Sequence, residues 1–248
     1  MTQQAKATIT VHLRELRSRL LKSVIAIAIA MPVSFILVPK FFEILTRPIA
    51  GIDLIYTEVA EMLGTYMKVG LLGALVLALP AILYQMVKFV HPALTRREKS
   101  FLYVMLPLVV IFFLAGASFG YFVLVPPALR FLLTFGGDIA TPMIKVGNYI
   151  SVVTSLLFWI GVCFEIPVLT FFLTKIGVIT PEWLARYRRW AILGAFVLGA
   201  IITPTFDPIN QSLVAGPIIV LYEIGILLSR LARRRKSHFV PVESKEPS

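Results

Sequence analysis

The chain has 248 residues, of which 58% are hydrophobic and 15% charged, and its formal net charge is +11. A soluble globule of this size needs more polar surface than this composition supplies, so the sequence excludes an ordinary soluble protein and predicts a membrane protein. The basic residues lie at the ends of apolar runs rather than on a face that also carries aromatic residues. The charge therefore favours membrane topology over nucleic-acid binding, and we expect no nucleic-acid partner.

Apolar runs of membrane-spanning character predict an all-α integral membrane protein with six transmembrane helices. The runs are Leu20 to Val38, Thr65 to Val90, Phe101 to Val125, Ile150 to Thr174, Trp190 to Thr203 and Ile209 to Leu228. A secretory signal is the alternative for the first run, because a basic leader precedes it and Ala26, Ala28 and Ala30 resemble a cleavage site. The run continues past these alanines to Val38, which favours a retained span.

The N-terminal arm carries the segment HLRELRSRL from His12 to Leu20, with leucines at helical spacing. Glu15 lies within this segment among basic residues. The simplest interpretation of Glu15 is a surface ion pair with Arg19, four residues further along the same helix.

Two connections on the outer side are long and still apolar, roughly Pro39 to Gly64 and Pro126 to Asn148. We expect each to form a short helix along the membrane interface, the first ending at Gly51 and the second at Gly136 and Gly137.

The connection between the second and third runs carries the segment FVHPALTRREK, from Phe89 to Lys99. Glu98 is an acid among basic residues here. Read alone, it is most simply a solvated surface charge.

Glu165 is a carboxylate near the middle of the fourth run, in the segment GVCFEIPV. Because a carboxylate at this depth costs on the order of 3 kcal/mol on insertion scales, it should face the protein interior or water rather than lipid. Pro167 should kink the helix beside it. Two interpretations stay open, a structural carboxyl inside the bundle and a group lining a polar cavity.

The fifth run has 14 residues and spans about 21 Å, which is short for a bilayer of ~30 Å. It is followed by a tight turn, TPTFDPINQ from Thr203 to Gln211.

The glycines Gly194 and Gly199 have the outer spacing of a phosphate loop, but the lysine and the hydroxyl residue of that motif are missing, so we expect these glycines to serve helix packing. Gly116 and Gly120 in the third run have small-xxx-small spacing, which also indicates close packing.

Nineteen of the Lys and Arg residues fall in the N-terminal arm, the second and fourth connections and the tail, and only five on the other side. By the positive-inside rule, both termini face the cytoplasm. We expect one membrane domain over residues 1–230, and a basic, disordered tail over residues 231–248 that binds anionic lipids.

The sequence contains no recognisable enzyme motif. The three histidines are far apart, and Cys163, the single cysteine, lies in an apolar run, where it should pack as a small hydrophobe. We therefore predict no catalytic site, no metal and no cofactor.

Four segments, taken in order, resemble the TatC family, the receptor subunits of the twin-arginine protein translocase. They are HLRELRSRL, FVHPALTRREK, GVCFEIPV and TPTFDPINQ, and the resemblance extends from His12 to Arg230. It implies a cup-shaped six-helix protein of the cell membrane, with short fifth and sixth helices. Such a protein binds folded cargo through signal peptides with consecutive arginines.

The resemblance also implies roles for individual residues. Glu98 would be the main acceptor of the paired arginines, Glu15 and Arg17 would complete the site, and Phe89 and Pro92 would shape it. Glu165 would line an intramembrane polar cavity. The partners TatA and TatB, or a TatA-type protein alone, would dock on the short helices through the polar residues Thr203, Asp207 and Gln211. Transport would be driven by the proton-motive force, in an oligomeric complex.

Two other classes of protein remain as alternatives. An ion-coupled small-solute transporter would also carry an intramembrane carboxylate, although the sequence lacks an internal repeat and paired broken helices. A membrane scaffold would need no particular acid at position 98.

Overall fold

The structure is a computed structural model that describes residues 3–49, 52–90, 96–134, 143–203 and 208–237. Its α-helices are α1 (Gln3–Thr46), α2 (Val59–Val90), α3 (Arg96–Phe119), α4 (Val125–Thr134), α5 (Val146–Phe164), α6 (Ile166–Lys175), α7 (Pro181–Arg186), α8 (Arg188–Ile202) and α9 (Pro208–Ser237). A 3-10 turn, Arg47–Ile49, follows α1, and a π-helical segment, Gly120–Leu124, joins α3 to α4. Strands β1 (Leu54–Ile55) and β2 (Ile144–Lys145) form a parallel pair.

Five helical segments in the described part of the chain are long and apolar enough to cross a membrane. They are Arg14–Ile49, Val59–Met86, Met105–Phe131, Val146–Lys175 and Pro208–Arg233. The predicted all-α membrane architecture is therefore confirmed. The fifth predicted run forms α8, whose 15 residues reach only about 22 Å, and the count of six crossings stays a prediction.

The predicted interfacial helix after Pro39 is wrong, because α1 continues through this proline to Thr46. The residues beyond Pro39 pack as part of the helix bundle: the ring of Phe42 stacks on Tyr66 of α2 at 5.8 Å, and Leu45 is buried. Neighbouring helices in a membrane bundle compensate for the hydrogen bond that a proline removes. Gly51, the expected end of this helix, lies outside the described residues.

The second outer connection contains a short helix, α4, as predicted. This helix is not separate from the third span, because α3 continues into α4 through the π-helical segment. This helix ends at Thr134, and the predicted stop at Gly136 and Gly137 falls in a part that the structure does not describe. Gly120 permits a close approach as expected, because a Cβ there would lie 3.1 Å from Leu157 of α5.

The chain forms two compact units, Met1–Gly161 and Val162–Ser248. In the first unit, α1 packs along α2, where the Ser34 hydroxyl donates to the carbonyl of Gly70 at 2.7 Å. At one end of this unit, the Glu61 carboxylate accepts the backbone N–H groups of Thr57 and Gly147, each at 3.0 Å. These bonds join the start of α2 to the start of α5, beside the β1–β2 pair.

In the second unit, α9 packs against α6 and α8. The hydroxyls of Thr174 and Ser229 share a buried hydrogen bond of 2.5 Å, and Gly225 lies directly against Thr170. The helix α9 continues past Arg230, the predicted end of the membrane domain, to Ser237. The predicted domain boundary and tail stay predictions.

Candidate functional site

The first group of predicted site residues lies where α1 faces the far end of α2. Glu15 and Arg19 form the expected ion pair on α1, with 3.1 Å between carboxylate and guanidinium. Their side chains keep 26% and 17% of their surface exposed, so the carboxylate is accessible to a second cationic ligand. Arg19 also donates to the side-chain oxygen of Gln85 on α2, at 3.3 Å. The ion pair on α1 is therefore also hydrogen-bonded to α2.

Other predicted residues of this group lie next to that contact along the chain. Phe89 follows Gln85 by one helical turn on α2, and Glu98 lies in the first turn of α3. The positions of these two side chains are outside the described part of the structure, as is the whole of Pro92. Arg17 is exposed on α1.

Glu165 lies at an interruption between two helices of the fourth predicted run. The helix α5 ends at Phe164 and α6 begins at Ile166, with Pro167 in its first turn. The N–H of Glu165 donates to Val162 at 3.0 Å, a tighter turn than that of an α-helix. The residue is 4% exposed, so the predicted inward position of the carboxylate is confirmed.

The third group lies on the α8–α9 pair. Thr203 is buried, and its hydroxyl donates to the carbonyl of Gly199 at 2.8 Å. The side-chain amide of Gln211, near the start of α9, donates to the carbonyl of Phe196 on α8 at 2.8 Å. Asp207 lies in the undescribed residues 204–207.

The predicted packing role of the two glycines of α8 holds for one of them. A Cβ on Gly199 would lie 3.0 Å from the backbone oxygen of Gln211, so this glycine lets α8 and α9 approach closely. A Cβ on Gly194 would meet no atom within 4 Å.

The described residues also bear on metal and thiol chemistry. Within them, no three His, Cys, Asp or Glu side chains lie close enough together to hold a metal ion. Cys163 is buried, as expected for a cysteine that packs as a small hydrophobe.

Sequence reasoning missed two polar residues that organise the first unit. Gln85 interrupts the apolar run from Thr65 to Val90, and a polar residue one turn before Phe89 was the available signal. Glu61 gave a weaker signal, because its partner Gly147 is 86 residues away in the chain and only the fold brings them together.

The fold and these groups define a polytopic all-α membrane protein with a buried carboxylate at a helix break and a partly exposed ion pair between α1 and the end of α2. The family model described as Sec-independent protein translocase protein (TatC) matches residues 11–217. The chain belongs to the TatC family.

Individual relatives agree with this assignment. Proteins named Sec-independent protein translocase protein TatC from Carboxydothermus hydrogenoformans and Aquifex aeolicus are 38% and 43% identical to this chain. Each match covers 92% of this chain, and 95% and 97% of the respective relatives. A crystal structure titled as the twin-arginine translocase receptor TatC superposes with a TM-score of 0.80 at 43% identity, over 90% of this chain and 100% of that one.

Proposed function

We propose that this chain is the receptor subunit of a twin-arginine translocase. It binds the signal peptides of folded proteins and recruits TatA and TatB for export, without an enzymatic step of its own and with the proton-motive force as the energy source. Membership of the TatC family and the similarity to a solved twin-arginine translocase receptor support this function. The transporter and scaffold alternatives have no comparable support.

The observation that carries the proposal is the contact between Glu15, Arg19 and Gln85. It holds a partly exposed carboxylate in place about three turns into α1, beside the end of α2 that leads to Phe89. A planar guanidinium pairs with a carboxylate through two parallel hydrogen bonds, whereas lysine offers only a point charge. Glu15 already holds one guanidinium, so this surface suits arginine.

Glu98 is the main acceptor of the paired arginines in this proposal. It lies in the first turn of α3, directly after the connection that contains Pro92. Phe89, near the end of α2, and Pro92 shape the site. Arg17 completes the site, and the positive charge of the basic residues nearby disfavours loose binding of other cations.

Glu165 lines a polar cavity that receives part of the signal segment. Its burial at a helix break supports this role, because an ionisable group at membrane depth is a functional candidate by default.

TatA and TatB dock on the α8–α9 pair, near Thr203, Asp207 and Gln211. The short length of α8 supports this assignment, because a 15-residue helix leaves the local bilayer mismatched unless a partner or membrane thinning compensates.

The protein lies in the inner membrane with both termini in the cytoplasm, following its asymmetry of basic residues. Residues 1–230 form the membrane domain, and the basic tail beyond them binds anionic lipid headgroups. Several copies assemble in the active complex.

Export of a reporter protein with a twin-arginine signal tests this function. The chain, co-expressed with TatA and TatB, should support export in cells that lack their own receptor subunit, and Glu98→Gln and Glu15→Gln should each reduce it. Glu43→Gln is the matched control, because Glu43 lies on the same helix and pairs at 2.9 Å with Arg47, four residues on, in the 3-10 turn that follows α1. Glu43 lies 28 residues from Glu15, or about 42 Å along α1, and therefore on the opposite membrane face.

Export that stays unchanged in the Glu98 and Glu15 variants, or falls equally in the Glu43 control, would contradict the assigned site. The partner surface has a separate test. Single cysteines at Thr203 and Gln211 should form disulfide crosslinks with cysteines in the spans of TatA or TatB. Absence of every such product would remove this surface from the proposal.

A further inference from the structure

Two polar contacts join α2 and α5 at one end. The Glu61 carboxylate binds the backbone of Gly147, and the Lys68 ammonium donates to the Ser151 hydroxyl at 2.8 Å. Beyond this second contact, residues of α1, α2, α3, the π-helical segment and α5 line a cavity of about 550 Å³ in the first unit. Lys68 and Ser151 lie at its rim, because each precedes a lining residue of its own helix, Leu72 and Thr154, by about one turn.

Most of the side chains that line the cavity are apolar, including Leu72 and Val76 of α2, Phe113 of α3 and Phe158 of α5. The lining also includes side chains on the outside of the unit: Leu77 is 44% exposed, Leu114 53% and Phe122 72%. In a membrane these exposed side chains meet hydrocarbon, so the cavity is accessible to lipid chains.

The depth of Lys68 matches the boundary between headgroups and hydrocarbon. Its 28-residue span is about 42 Å long against a hydrocarbon core of ~30 Å, so about 6 Å projects at each end of a centred helix. Lys68 lies nine residues after Val59, which places its Cα about 8 Å inside the core. A lysine at this depth extends its ammonium to the headgroups.

The cavity lies below Lys68 in the hydrocarbon core. Its lining on α2 runs from Val69 to Leu77, about 12 Å along the helix, which places it about 9–21 Å inside the core by the same estimate. An acyl chain that extends inward from a headgroup at Lys68 would therefore enter the cavity and reach past the bilayer midplane.

The positive charge of Lys68 at the rim favours a lipid with an anionic headgroup. In the part of the chain that the structure describes, no carboxylate forms an ion pair with Lys68, and its one recorded acceptor is the neutral hydroxyl of Ser151. An ammonium has three donors, so two are available for an anionic oxygen. A phosphate at this point would receive charge-assisted bonds from Lys68.

We propose that this cavity binds one acyl chain of an anionic phospholipid, whose phosphate is held by Lys68 beside Ser151. The chain fills the cavity that α1, α2, α3 and α5 line in the first unit.

Native mass spectrometry of the purified full chain in detergent tests the site, with added phosphatidylglycerol compared with phosphatidylcholine. The wild-type chain should retain phosphatidylglycerol preferentially. Lys68→Gln should reduce this preference roughly five-fold, the effect expected of one basic residue near an anionic lipid, and Lys68→Arg should keep it. Ala117→Phe, which adds a ring at the cavity wall, should reduce retention of both lipids.

Arg130→Gln is the control, because Arg130 is an exposed cation of the same unit on α4, and no residue of that helix lines the cavity. Equal losses in the Arg130 and Lys68 variants, or full retention in Ala117→Phe, would overturn the proposal.

A photoreactive residue in place of Leu114 identifies the occupant without relying on the stability of those variants. Crosslinking in membranes should yield a phospholipid adduct, resolved by its mass. An adduct with a signal peptide or another polypeptide instead of lipid would overturn the proposal.

Discussion

Substitution of Gly225 should destabilise the packing of α9 on α6. A Cβ at this position would lie 2.7 Å from Oγ1 of Thr170, where ordinary contacts are 3.4–4 Å. Thr170 is held in place, because its hydroxyl donates to the carbonyls of Ile166 at 2.9 Å and Pro167 at 3.1 Å. The added methyl must therefore push the helices apart or break these bonds.

The expected magnitude follows from two opposing effects. Overpacking of a buried contact costs about 1–3 kcal/mol, and replacing glycine by alanine inside a helix returns up to about 1 kcal/mol. Gly225→Ala should thus lower the free energy of unfolding by roughly 1–2 kcal/mol. Gly216→Ala is the control on the same helix, because a Cβ there meets nothing within 4 Å, and its stability should be unchanged or higher.

Denaturant titration of the detergent-solubilised chain, followed by far-UV circular dichroism, measures this difference. The double variant Thr170→Ala, Gly225→Ala should recover much of the loss, because the obstructing hydroxyl is gone, so the two changes should be non-additive. Equal stability of Gly225→Ala and Gly216→Ala, or strict additivity in the double variant, would refute the reasoning.

Three further predictions concern the second unit. Ser229→Ala should cost about 0.5–2 kcal/mol in the same titration, because it removes the buried hydroxyl bond to α6, and no loss would show that this bond is dispensable. Gly199→Ala should lower the free energy of unfolding more than Gly194→Ala, because only a Cβ at position 199 would lie close to a backbone oxygen of α9, 3.0 Å away. The reverse order would contradict the close approach of α8 and α9. The backbone N–H of Glu182 and the charge of its ion-pair partner Arg233 hold the pKa of the Glu182 carboxyl below its ordinary 4.5. Its contribution to stability is therefore present above pH 4.5 and lost as the pH falls through the lowered pKa. Glu182→Gln should lower the melting temperature at pH 7, and this difference from the wild-type chain should shrink as the pH falls below 4.5; a difference that does not change with pH would contradict the assigned charge effect.

The sequence predicted what depends on local pattern. Run length and hydropathy located the spanning helices, and four-residue spacing predicted the ion pair between Glu15 and Arg19. Pro167 marked the helix break beside Glu165. Each of these features follows from residues close together in the chain.

Features that depend on distant partners were not predictable in this way. The extension of α1 beyond Pro39 is stabilised by distant partners, because Phe42 stacks on Tyr66 of α2 and the carbonyl of Leu45 accepts a hydrogen bond from Tyr149 of α5. The two glycines of α8 look alike in sequence, and only the position of α9 separates Gly199 from Gly194. The roles assigned to Glu98 and Gln211 rest on family resemblance, because neither spacing nor hydropathy indicates a peptide ligand.

Binding of a labelled signal peptide to the purified chain in nanodiscs is the most direct test of the receptor function. The peptide with consecutive arginines should bind more tightly than its Lys-Lys form, and this preference should collapse in Glu98→Gln but persist in the control Glu43→Gln. Equal, weak binding of both peptides that is unchanged by Glu98→Gln would contradict the account. Glu98 would then be an ordinary solvated surface charge.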